Sequence, residues 1–457
     1  MIIGVYGDKA NPLDIMPEER SYSLAAEAMM QGVDLIFFDL DGVDFNNKTV
    51  SGKIREKGQW LYKVLPFPDV LINISRPINE RLKDEFRLRE EIPVTCFLID
   101  GKLTLFEKIK EKRQFANYLI PYEKVTNVNI VEQFIKDYNQ VVIKHIEGRQ
   151  GRAIYFIEKK GNNYIIKEHI NKYKFNRKKF KTLVDKIIKE DKYIIQPYIE
   201  CRNKHGYPFD FRAHVQRDGE GKWQLTKLYP RIGNKNSILS NISRGGMTCN
   251  LEYFLITEYP EKADFLKNHL TKLALEIAEH VDGFYVNDLD ELGIDLAIDK
   301  NEKIWLFEVN AGPQTKYHEW ERARNTIAYA IYVAKKHKNN KIKKIISLTD
   351  TLNEGLENVY QDLERGNLME TTGIMLQIME GFFAIEKRLV TYLNDYTETK
   401  IFNLTQKVKN DFAKVIDFYE SRDLDGLTNW IKKQLMPQFN VWKDELHKIR
   451  KEENILV

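Results

Sequence analysis

Two short apolar runs in the middle of the chain, residues 294–298 and 304–310, flank a polar, turn-forming segment. Runs of this length on either side of such a segment predict a β-hairpin. Asp295, Glu308 and Asn310 interrupt these otherwise apolar strands. Burying a carboxylate is costly unless a charge or a hydrogen bond compensates it, so these positions constrain what must surround the hairpin.

The three polar residues of the hairpin form a candidate metal site. Glu308 and Asn310 are two residues apart, so they point to the same face of their strand, and Asp295 lies on the other strand. Hard oxygen donors on one face suit Mg²⁺, which keeps water and substrate phosphates in its remaining positions. An ordinary hairpin with a few polar positions explains the same pattern, and the hairpin alone does not decide between the two.

Residues 141–157 predict two strands joined by a glycine-containing loop. Lys144 lies near the end of the first strand, and Gly148 and Gly151 lie in the loop. Backbone N–H groups and cations in such a loop can contact phosphate oxygens. The segment has neither the P-loop pattern nor the Rossmann fingerprint, so by itself it fits an accidental glycine pair in a hairpin equally well.

Two further segments carry polar groups. Asp210, Arg212 and His214 alternate with apolar residues and therefore share one face of a predicted strand, with Arg231 as a further cation. Residues 193–200 form a strand that runs into a proline, where ladder pairing ends. Backbone N–H and C=O groups exposed beside apolar side chains there can read the edge of an adenine.

The order of these motifs resembles that of the ATP-grasp superfamily, and more closely that of its YheC/YheD group of endospore coat-associated proteins. The segments that carry the resemblance are residues 208–212, 229–233, 240–246, 291–295 and 305–310. The thirteen-then-two spacing from Asp295 to Glu308 to Asn310 is that of the metal ligands in D-alanine–D-alanine-ligase-like members. The resemblance covers residues 1 to about 335.

The resemblance implies a role for each matching residue. The implied nucleotide-binding residues are Lys108, Lys144, Gly148, Gly151, Gln196, Tyr198, Ile199, Glu200, Asn241, Gly245 and Gly246. The implied catalytic residues are Arg212, Arg231 and Lys144, and the implied ligands of one or two Mg²⁺ are Asp295, Glu308 and Asn310. Related ligases often carry an arginine where this chain has Gly293, so Arg212 or Arg231 is expected to supply that charge.

The implied activity is an ATP-dependent carboxylate–amine ligase that forms an acyl phosphate and releases ADP and phosphate. Its substrates would be a small-molecule or peptide carboxylate and an amine. The same fold could instead transfer a phosphoryl group to a hydroxyl, or serve as a nucleotide-binding coat or assembly scaffold without turnover. The positively charged groups and metal ligands are shared by ligase and kinase chemistry and do not separate them.

The length and the patterning predict an α/β protein with an ATP-grasp fold followed by an all-α bundle. The predicted parts are a small α/β domain at 1–105 with strands at 2–6, 35–39, 70–74 and 93–98, a first grasp half at 106–200, and a second grasp half at 201–335. A basic linker at 336–347 and a bundle of about four helices at 348–457 follow. Gly366, residues 397–399 and residues 422–426 are the predicted breaks or caps of the bundle, as is Asn353. Its apolar stripes predict a core, and alternatively a surface for a protein partner or for self-association.

Composition narrows the protein class further. No run of about 18 apolar residues occurs, so no membrane span is predicted. Cys96, Cys201 and Cys249 are too widely spaced for a zinc site or a disulfide framework, and the first residues lack a signal-peptide pattern, so a cytoplasmic location is expected. The net charge of +4 suits acidic ligands. Without a long basic tract that contains aromatics, nucleic acid is not an expected partner.

Overall fold

The computed structural model describes residues 1–7, 10–73, 82–146, 154–168, 171–190, 192–235, 237, 240, 245–315, 317–393 and 396–455. The chain folds into two compact units, Met1–Val333 and Ala334–Val457. The strands are β1 (Ile2–Gly7), β2 (Asp34–Asp39), β3 (Val43–Asp44), β4 (Thr49–Glu56), β5 (Gln59–Pro66), β6 (Val70–Asn73), β7 (Glu123–Lys124), β8 (Gln140–His145), β9 (Ile154–Lys160), β10 (Asn163–Glu168), β11 (Asn171–Asn176), β12 (Tyr193–Pro197), β13 (Phe209–Arg217), β14 (Trp223–Ile232), β15 (Met247–Thr248), β16 (Glu291–Ile298) and β17 (Ile304–Ala311).

The helices occupy both units. They are α1 (Pro12–Ile15), α2 (Glu18–Met30), α3 (Leu82–Glu91), α4 (Lys102–Lys112), α5 (Val128–Tyr138), α6 (Arg177–Glu190), α7 (Leu251–Glu258), α8 (Ala263–Asp282), α9 (Glu319–Glu364), α10 (Leu368–Tyr392), α11 (Lys400–Ser421), α12 (Leu424–Trp430) and α13 (Met436–Ile455). Among the helices that the structure describes, none combines the length and the apolar content that a bilayer crossing requires.

The first sheet has the order β3-β4-β2-β1-β6, with β5 paired to β4. β1 pairs in parallel with β2 and β6, which confirms the strands predicted at 2–6 and 35–39. The strand predicted at 93–98 is wrong, because only an isolated bridge between Leu71 and Val94 forms there. The antiparallel hairpin β4–β5 was not predicted, and it turns at Lys57 and Gly58, which both have positive φ.

The second sheet, in the order β11-β10-β9-β8-β12-β7, carries Lys144 on its interior strand β8. Helices α5 and α6 supply apolar residues to a shared core with the sheet. Tyr164 of β10 and Phe180 of α6 stack with ring centroids 3.9 Å apart. Packing of this kind fixes β8 in place, because buried aromatic pairs add to the free energy of area burial.

The third sheet has the order β15-β14-β13-β16-β17 and two chemically different faces. Phe211, Ala213 and Val215 of β13 are buried in the same core cluster as Leu270 and Leu273 of α8. Because side chains alternate along a strand, the intervening residues of β13 point to the other face. The polar alternation read from the sequence therefore becomes one polar face of this sheet, and β16–β17 is the predicted hairpin.

The helical unit confirms most of the predicted breaks. Gly366, with φ of +87°, lies between α9 and α10, and Thr399 caps α11 by accepting a hydrogen bond from the Phe402 N–H. Arg422 ends α11 in the left-handed conformation. Asn353 lies inside α9, so it is not a break.

The basic run at 336–347, predicted as a linker, is also part of α9. Its lysines dominate the composition, but Ile342, Ile345 and Ile346 are buried in the core of the helical unit. Three and four residues of separation place such side chains on one helical face, which explains why the segment is helical.

Candidate functional site

Strand pairing brings two of the predicted catalytic residues and two of the predicted metal ligands together on the polar face of the third sheet. Asp210 lies opposite Arg231, and Arg212 lies opposite Asp295. Asp295 in turn lies opposite Glu308. Residues directly opposite each other on antiparallel strands have Cβ atoms about 4.5–5.5 Å apart, so these five side chains form one contiguous group.

Two arginines and two aspartates form a buried network at the centre of this group. Arg231 donates from Nε and Nη2 to the two oxygens of Asp210, both at 2.6 Å, and its Nη2 lies 3.0 Å from Oδ2 of Asp295. Arg212 donates to both oxygens of Asp295, from Nη2 at 3.1 Å and also from Nε. Ser240 donates its hydroxyl to Asp210 at 2.7 Å. The bidentate geometry holds both guanidinium groups in fixed orientations.

The two arginines keep Asp295 ionised. Burial of Asp295 disfavours the carboxylate, but the charges of Arg212 and Arg231 outweigh that effect and lower its pKa. Burial would lower the pKa of Arg231, whereas Asp210 and Asp295 raise it above the usual range. At neutral pH Asp295 and Arg231 therefore face each other as an ion pair.

Gly293 explains how Arg212 reaches this position. A Cβ atom at residue 293 would lie 2.7 Å from Cβ of Pro313 and 3.0 Å from Nη1 of Arg212. Arg212 from the neighbouring strand and Pro313 thus fill the space that a side chain at residue 293 would need. This geometry supports the expectation that Arg212 supplies the missing charge.

A second charged group joins the helix α4, strand β8 and the hairpin. Nζ of Lys102 lies 3.0 Å from Oε1 of Glu308. Burial and the charge of Lys102 lower the pKa of Lys144 to about 8, and the charge of Glu308 opposes the shift. Nζ of Lys144 also lies 5.5 Å from the ring centroid of Phe106. Two ammonium groups close to one carboxylate fit an anionic ligand such as phosphate.

Lys108, predicted to contact the nucleotide, has different neighbours. Its Nζ lies 2.6 Å from Oδ2 of Asp100 and 4.9 Å from the ring centroid of Tyr285. Lys102 precedes it by six residues on α4, a rotation of about 600° around the helix axis, so the two side chains point to different sides. Sequence reasoning did not single out Lys102, because which side of α4 faces the hairpin depends on tertiary packing.

We expect Lys102→Met to weaken ATP binding about tenfold or more, because a cation facing Glu308 and Lys144 would be lost. Lys108→Met is the matched control and should bind ATP nearly as the unchanged protein does. Titration calorimetry with a nonhydrolysable ATP analogue measures both. A larger loss in Lys108→Met than in Lys102→Met would contradict the assignment of Lys102.

The predicted adenine-binding segment lies at the end of β12. Gln196 is buried. The backbone N–H of Tyr198 donates to the carbonyl of Gln140 at 2.9 Å, so this N–H already has an acceptor. The ring of Tyr198 meets Phe156 edge-on at 4.9 Å. Ile199 is half-buried and Glu200 is exposed, with Oε1 3.8 Å from Nε of the neighbouring arginine.

The glycine-rich segments are described only in part. Gly148, Gly151 and Asn241 lie outside the described residues. Gly245 has φ of +81°, and Gly246 directly precedes β15, which pairs with the Arg231 end of β14. The second glycine pair is therefore adjacent to the arginine–aspartate network.

The donor set fits a divalent cation through two of the three predicted ligands. Glu308 and Asn310 are partly exposed and lie on the same face of β17. Asp295 lies opposite Glu308, but both of its oxygens accept hydrogen bonds from Arg212, so it is the third predicted ligand that is already bound by a cationic side chain. In the described part of the chain, no three His, Cys, Asp or Glu side chains cluster closely enough to hold a metal by themselves.

A buried chain of two histidines and a glutamate continues the polar face, and sequence reasoning assigned it no role. Nδ1 of His214 lies 2.8 Å from Nε2 of His318, and Nε2 of His214 lies 2.7 Å from Oε1 of Glu291. Burial disfavours the Glu291 carboxylate, but Arg322 and His214 outweigh it and lower its pKa, so Glu291 only accepts. His214 must then donate from Nε2 and accept at Nδ1 from His318.

The histidine chain anchors the segment that follows Asn310. His318 directly precedes α9, and its carbonyl accepts from the Arg322 N–H at 3.0 Å. Burial and the charges of His214 and Arg322 lower the pKa of His318 to about 3. Burial likewise lowers the pKa of His214, although Glu291 opposes the shift. Both rings are therefore neutral, as the hydrogen-bond chain requires.

Acid is expected to destabilise the Met1–Val333 unit through this pair. In an unfolded chain a histidine takes up a proton near pH 6.5. Folded His318 resists protonation, so stability falls as the pH drops from about 6.5 toward 3, by on the order of 1–2 kcal/mol by pH 5. Amide hydrogen exchange in β13 at several pH values measures the loss.

The same experiment on His318→Gln isolates the contribution of His318. The glutamine amide can still donate to Nδ1 of His214, but it does not take up a proton. The variant should lack the part of the acid sensitivity that His318 contributes. Burial and the charge of Glu291 raise the pKa of Asp290 to about 7. Protonation of Asp290 therefore increases stability as the pH falls, but it does so equally in the variant and in the unchanged protein. An unchanged difference between the two proteins from pH 7 to pH 5 would contradict a depressed pKa for His318.

Known proteins match the two parts of the chain separately. A family model described as YheC/D-like ATP-grasp matches residues 91–336, and a domain of unknown function, DUF8042, matches residues 340–445. The endospore coat-associated protein YheD of Bacillus subtilis (strain 168) is 25% identical over 296 residues, which are 60% of this chain and 63% of YheD. YheC of the same organism is 25% identical over 251 residues, 53% of this chain and 66% of YheC.

The chain thus spans just under two thirds of the length of the curated relatives it matches. The solved N5-carboxyaminoimidazole synthetase from Staphylococcus aureus, complexed with ADP, covers 72% of this chain and 76% of its own, at 12% identity and a TM-score of 0.42. The three sheets followed by a helical region confirm the predicted ATP-grasp architecture. Since the family model matches more than half of its residues, the chain belongs to the YheC/D-like ATP-grasp family.

Proposed function

We propose that this protein is an ATP-dependent ligase that joins a carboxylate to an amine through an acyl phosphate. One observation supports the phosphoryl-transfer part of the proposal, and the choice of a ligase over a phosphotransferase rests on the resemblance to D-alanine–D-alanine-ligase-like members. Lys102, Lys144, Arg212 and Arg231 converge with carboxylates on one face of the third sheet, although they come from a helix and three different strands. A fold has no packing reason to collect four cations there, because buried ion pairs are often no more stable than apolar residues of similar volume.

The residues divide into two groups along the triphosphate. Lys102 and Lys144 would hold the phosphates nearer the nucleoside. Arg212 and Arg231 would hold the γ-phosphoryl group, with Asp210 and Asp295 keeping their guanidinium groups oriented. Glu308 and Asn310, with Asp295 opposite, would hold Mg²⁺, which when bound neutralises phosphate charge.

The reaction then proceeds by positioning and charge stabilisation. An oxygen of the substrate carboxylate attacks the γ-phosphorus, and ADP leaves with the electron pair of the broken P–O bond. The amine nitrogen next attacks the acyl carbon, the bond between that carbon and the phosphate oxygen breaks, and phosphate leaves as the nitrogen releases a proton to water. The arginines stabilise the charge on the phosphoryl oxygens in the first step and on the departing phosphate in the second. This sequence requires no covalent intermediate on the protein.

Phosphate release over a matrix of acids and amines tests the proposal. A ligase accumulates phosphate only when both substrates are present, whereas a phosphotransferase makes a stable phosphorylated product from one acceptor. A nucleotide-binding scaffold binds ATP and releases no phosphate. Because YheC and YheD are named for the endospore coat, amino acids and short peptides of cell-envelope type are the first compounds to include. Product formation from a hydroxyl acceptor alone would overturn the ligase assignment.

A further inference from the structure

Tyr229 lies on the polar face of the third sheet, and the proposed function gives it no role. It is directly opposite Arg212 in the pairing of β13 with β14. It is also two residues from Arg231 on β14, so both of these side chains point to the same face. Because directly opposite residues have Cβ atoms about 4.5–5.5 Å apart, the phenol lies beside the two arginines that are proposed to hold the γ-phosphoryl group.

The hydroxyl of Tyr229 is available to a ligand. Among the residues that the structure describes, none forms a hydrogen bond with this hydroxyl. Its neighbours are already engaged, since Arg212 donates from Nε and Nη2 to Asp295, and Arg231 donates from Nε and Nη2 to Asp210. Tyr229 is half-buried, so its hydroxyl cannot rely on bulk water alone for hydrogen bonding.

The surroundings of Tyr229 keep its hydroxyl protonated and its ring in place. Burial raises the pKa of Tyr229, and the charges of Arg212 and Arg231 oppose this shift without cancelling it. At neutral pH the hydroxyl therefore carries its proton and can donate. The ring of His318 packs against the phenol at 61°, with ring centroids 5.5 Å apart. The donor is thus held on the polar face before a ligand binds.

Strand pairing also places Tyr229 at the end of the site where the γ-phosphoryl group is proposed to lie. Tyr229, Arg212, Asp295 and Glu308 lie opposite one another across β14, β13, β16 and β17. This row begins at the proposed Mg²⁺ ligand Glu308, passes Arg212 and ends at Tyr229. A phosphoryl group in transfer spreads its charge over three equatorial oxygens, and donors fixed beforehand stabilise such charge.

We propose that the hydroxyl of Tyr229 donates a hydrogen bond to the γ-phosphoryl group of ATP, as a third donor beside Arg212 and Arg231. The tyrosine keeps its proton throughout, so none of its own bonds forms or breaks. The inference rests on the proposed function in placing the γ-phosphoryl group at the two arginines. It holds equally for a ligase and for a phosphotransferase, because both transfer this group.

The affinities of Tyr229→Phe for ADP and for the nonhydrolysable β,γ-imido analogue of ATP, each with Mg²⁺, test the role of the hydroxyl. Phenylalanine keeps the ring against His318 and removes only the oxygen. Binding of the analogue, measured by titration calorimetry, should weaken about tenfold or more, because a hydrogen bond to a charged group is lost. ADP should bind as before, since it has no γ-phosphoryl group.

Tyr253→Phe is the matched control for the loss of a hydroxyl. Tyr253 is 76% exposed on α7, and its variant should bind both nucleotides as the unchanged protein does. Amide hydrogen exchange in β14 should be the same in Tyr229→Phe as in the unchanged protein. Faster exchange there would assign the loss of affinity to the fold and would overturn the role of the hydroxyl.

The two nucleotides separate the failure of this inference from the failure of the proposed function. Equal losses of affinity for the analogue and for ADP, or no loss for either, overturn the contact between Tyr229 and the γ-phosphoryl group and leave the proposed function intact. If the unchanged protein binds neither nucleotide, both proposals are overturned. A phosphorylated hydroxyl product would overturn the ligase assignment alone.

Discussion

Replacing Glu308 with Gln should lower ATP-dependent turnover by about 10²–10³, by analogy with the loss of one hydrogen-bond donor from an oxyanion hole. The variant keeps the size of the side chain but removes the negative charge that faces Lys102 and opposes the pKa shift of Lys144. It also removes one of the oxygen donors proposed for Mg²⁺. The fold should persist, because the Glu308 side chain is about a quarter exposed and lies outside the apolar core.

Two readouts separate these effects of the Glu308 change. The Mg²⁺ dependence of ATP-analogue binding should be lost, which calorimetry at increasing magnesium concentration measures. The pKa of Lys144 should fall further below about 8, because the charge of Glu308 no longer raises it. As the pH is raised, Lys144 should therefore lose its charge earlier, and ATP affinity should decline at a lower pH than in the unchanged protein.

Glu302→Gln provides the control for the same chemical change on the same hairpin. Glu302 lies in the exposed turn and pairs with Lys262, away from the polar face. Its variant should turn over normally. Normal turnover in Glu308→Gln as well would remove Glu308 from both the phosphate site and the metal site.

Local patterns predicted the elements whose side chains alternate or repeat cleanly. The hairpin β16–β17 follows directly from two apolar runs around a polar turn, and its register places Asp295 opposite Glu308. The hairpin β4–β5 escaped prediction because β5 is mostly exposed and has no buried apolar face of its own. Its anchor is tertiary, through Trp60 packed edge-on to Phe37 at 5.2 Å.

The charged partners of the site could not be derived from local patterns. Arg212 and Asp295 are 83 residues apart, and their contact depends on the pairing of β13 with β16. Sequence reasoning put Arg212, Arg231 and Asp295 in one site through family resemblance, but it did not foresee that the aspartate is bound by both arginines. The choice between Lys102 and Lys108 likewise depended on which side of α4 faces the hairpin, which the sequence of the helix alone does not state.

The largest effect on stability is expected from Arg231→Met. Removing this side chain leaves Asp210 buried without its bidentate partner and Asp295 with Arg212 alone. Breaking a buried pair in this way typically costs about 3–5 kcal/mol, because the remaining charge is uncompensated. Amide hydrogen exchange in β13 and β16 measures the change. Activity should be lost as well, since the proposed function assigns Arg231 to the γ-phosphoryl group.

Two companion variants show whether the uncompensated aspartate is the cause. In Asp210→Asn/Arg231→Met a neutral amide replaces that carboxylate, so part of the lost stability should return. Arg177→Met removes an exposed bidentate contact to Glu132 and should change stability little. Wild-type exchange rates in Arg231→Met would mean that the pair contributes nothing to the fold.

The pH dependence of the Arg231→Met defect follows from the same charges. In the unchanged protein the lowered pKa of Asp295 contributes stability at neutral pH that is lost as the pH falls below about 4, the usual pKa of aspartate. Without Arg231 the pKa of Asp295 rises, so protonation relieves the buried charge at a higher pH. The gap in stability between the two proteins should therefore narrow as the pH is lowered from 7 to 4. If the difference in stability stays constant over that range, the destabilisation does not come from the ionised aspartates. It would then come from the lost packing of the arginine side chain.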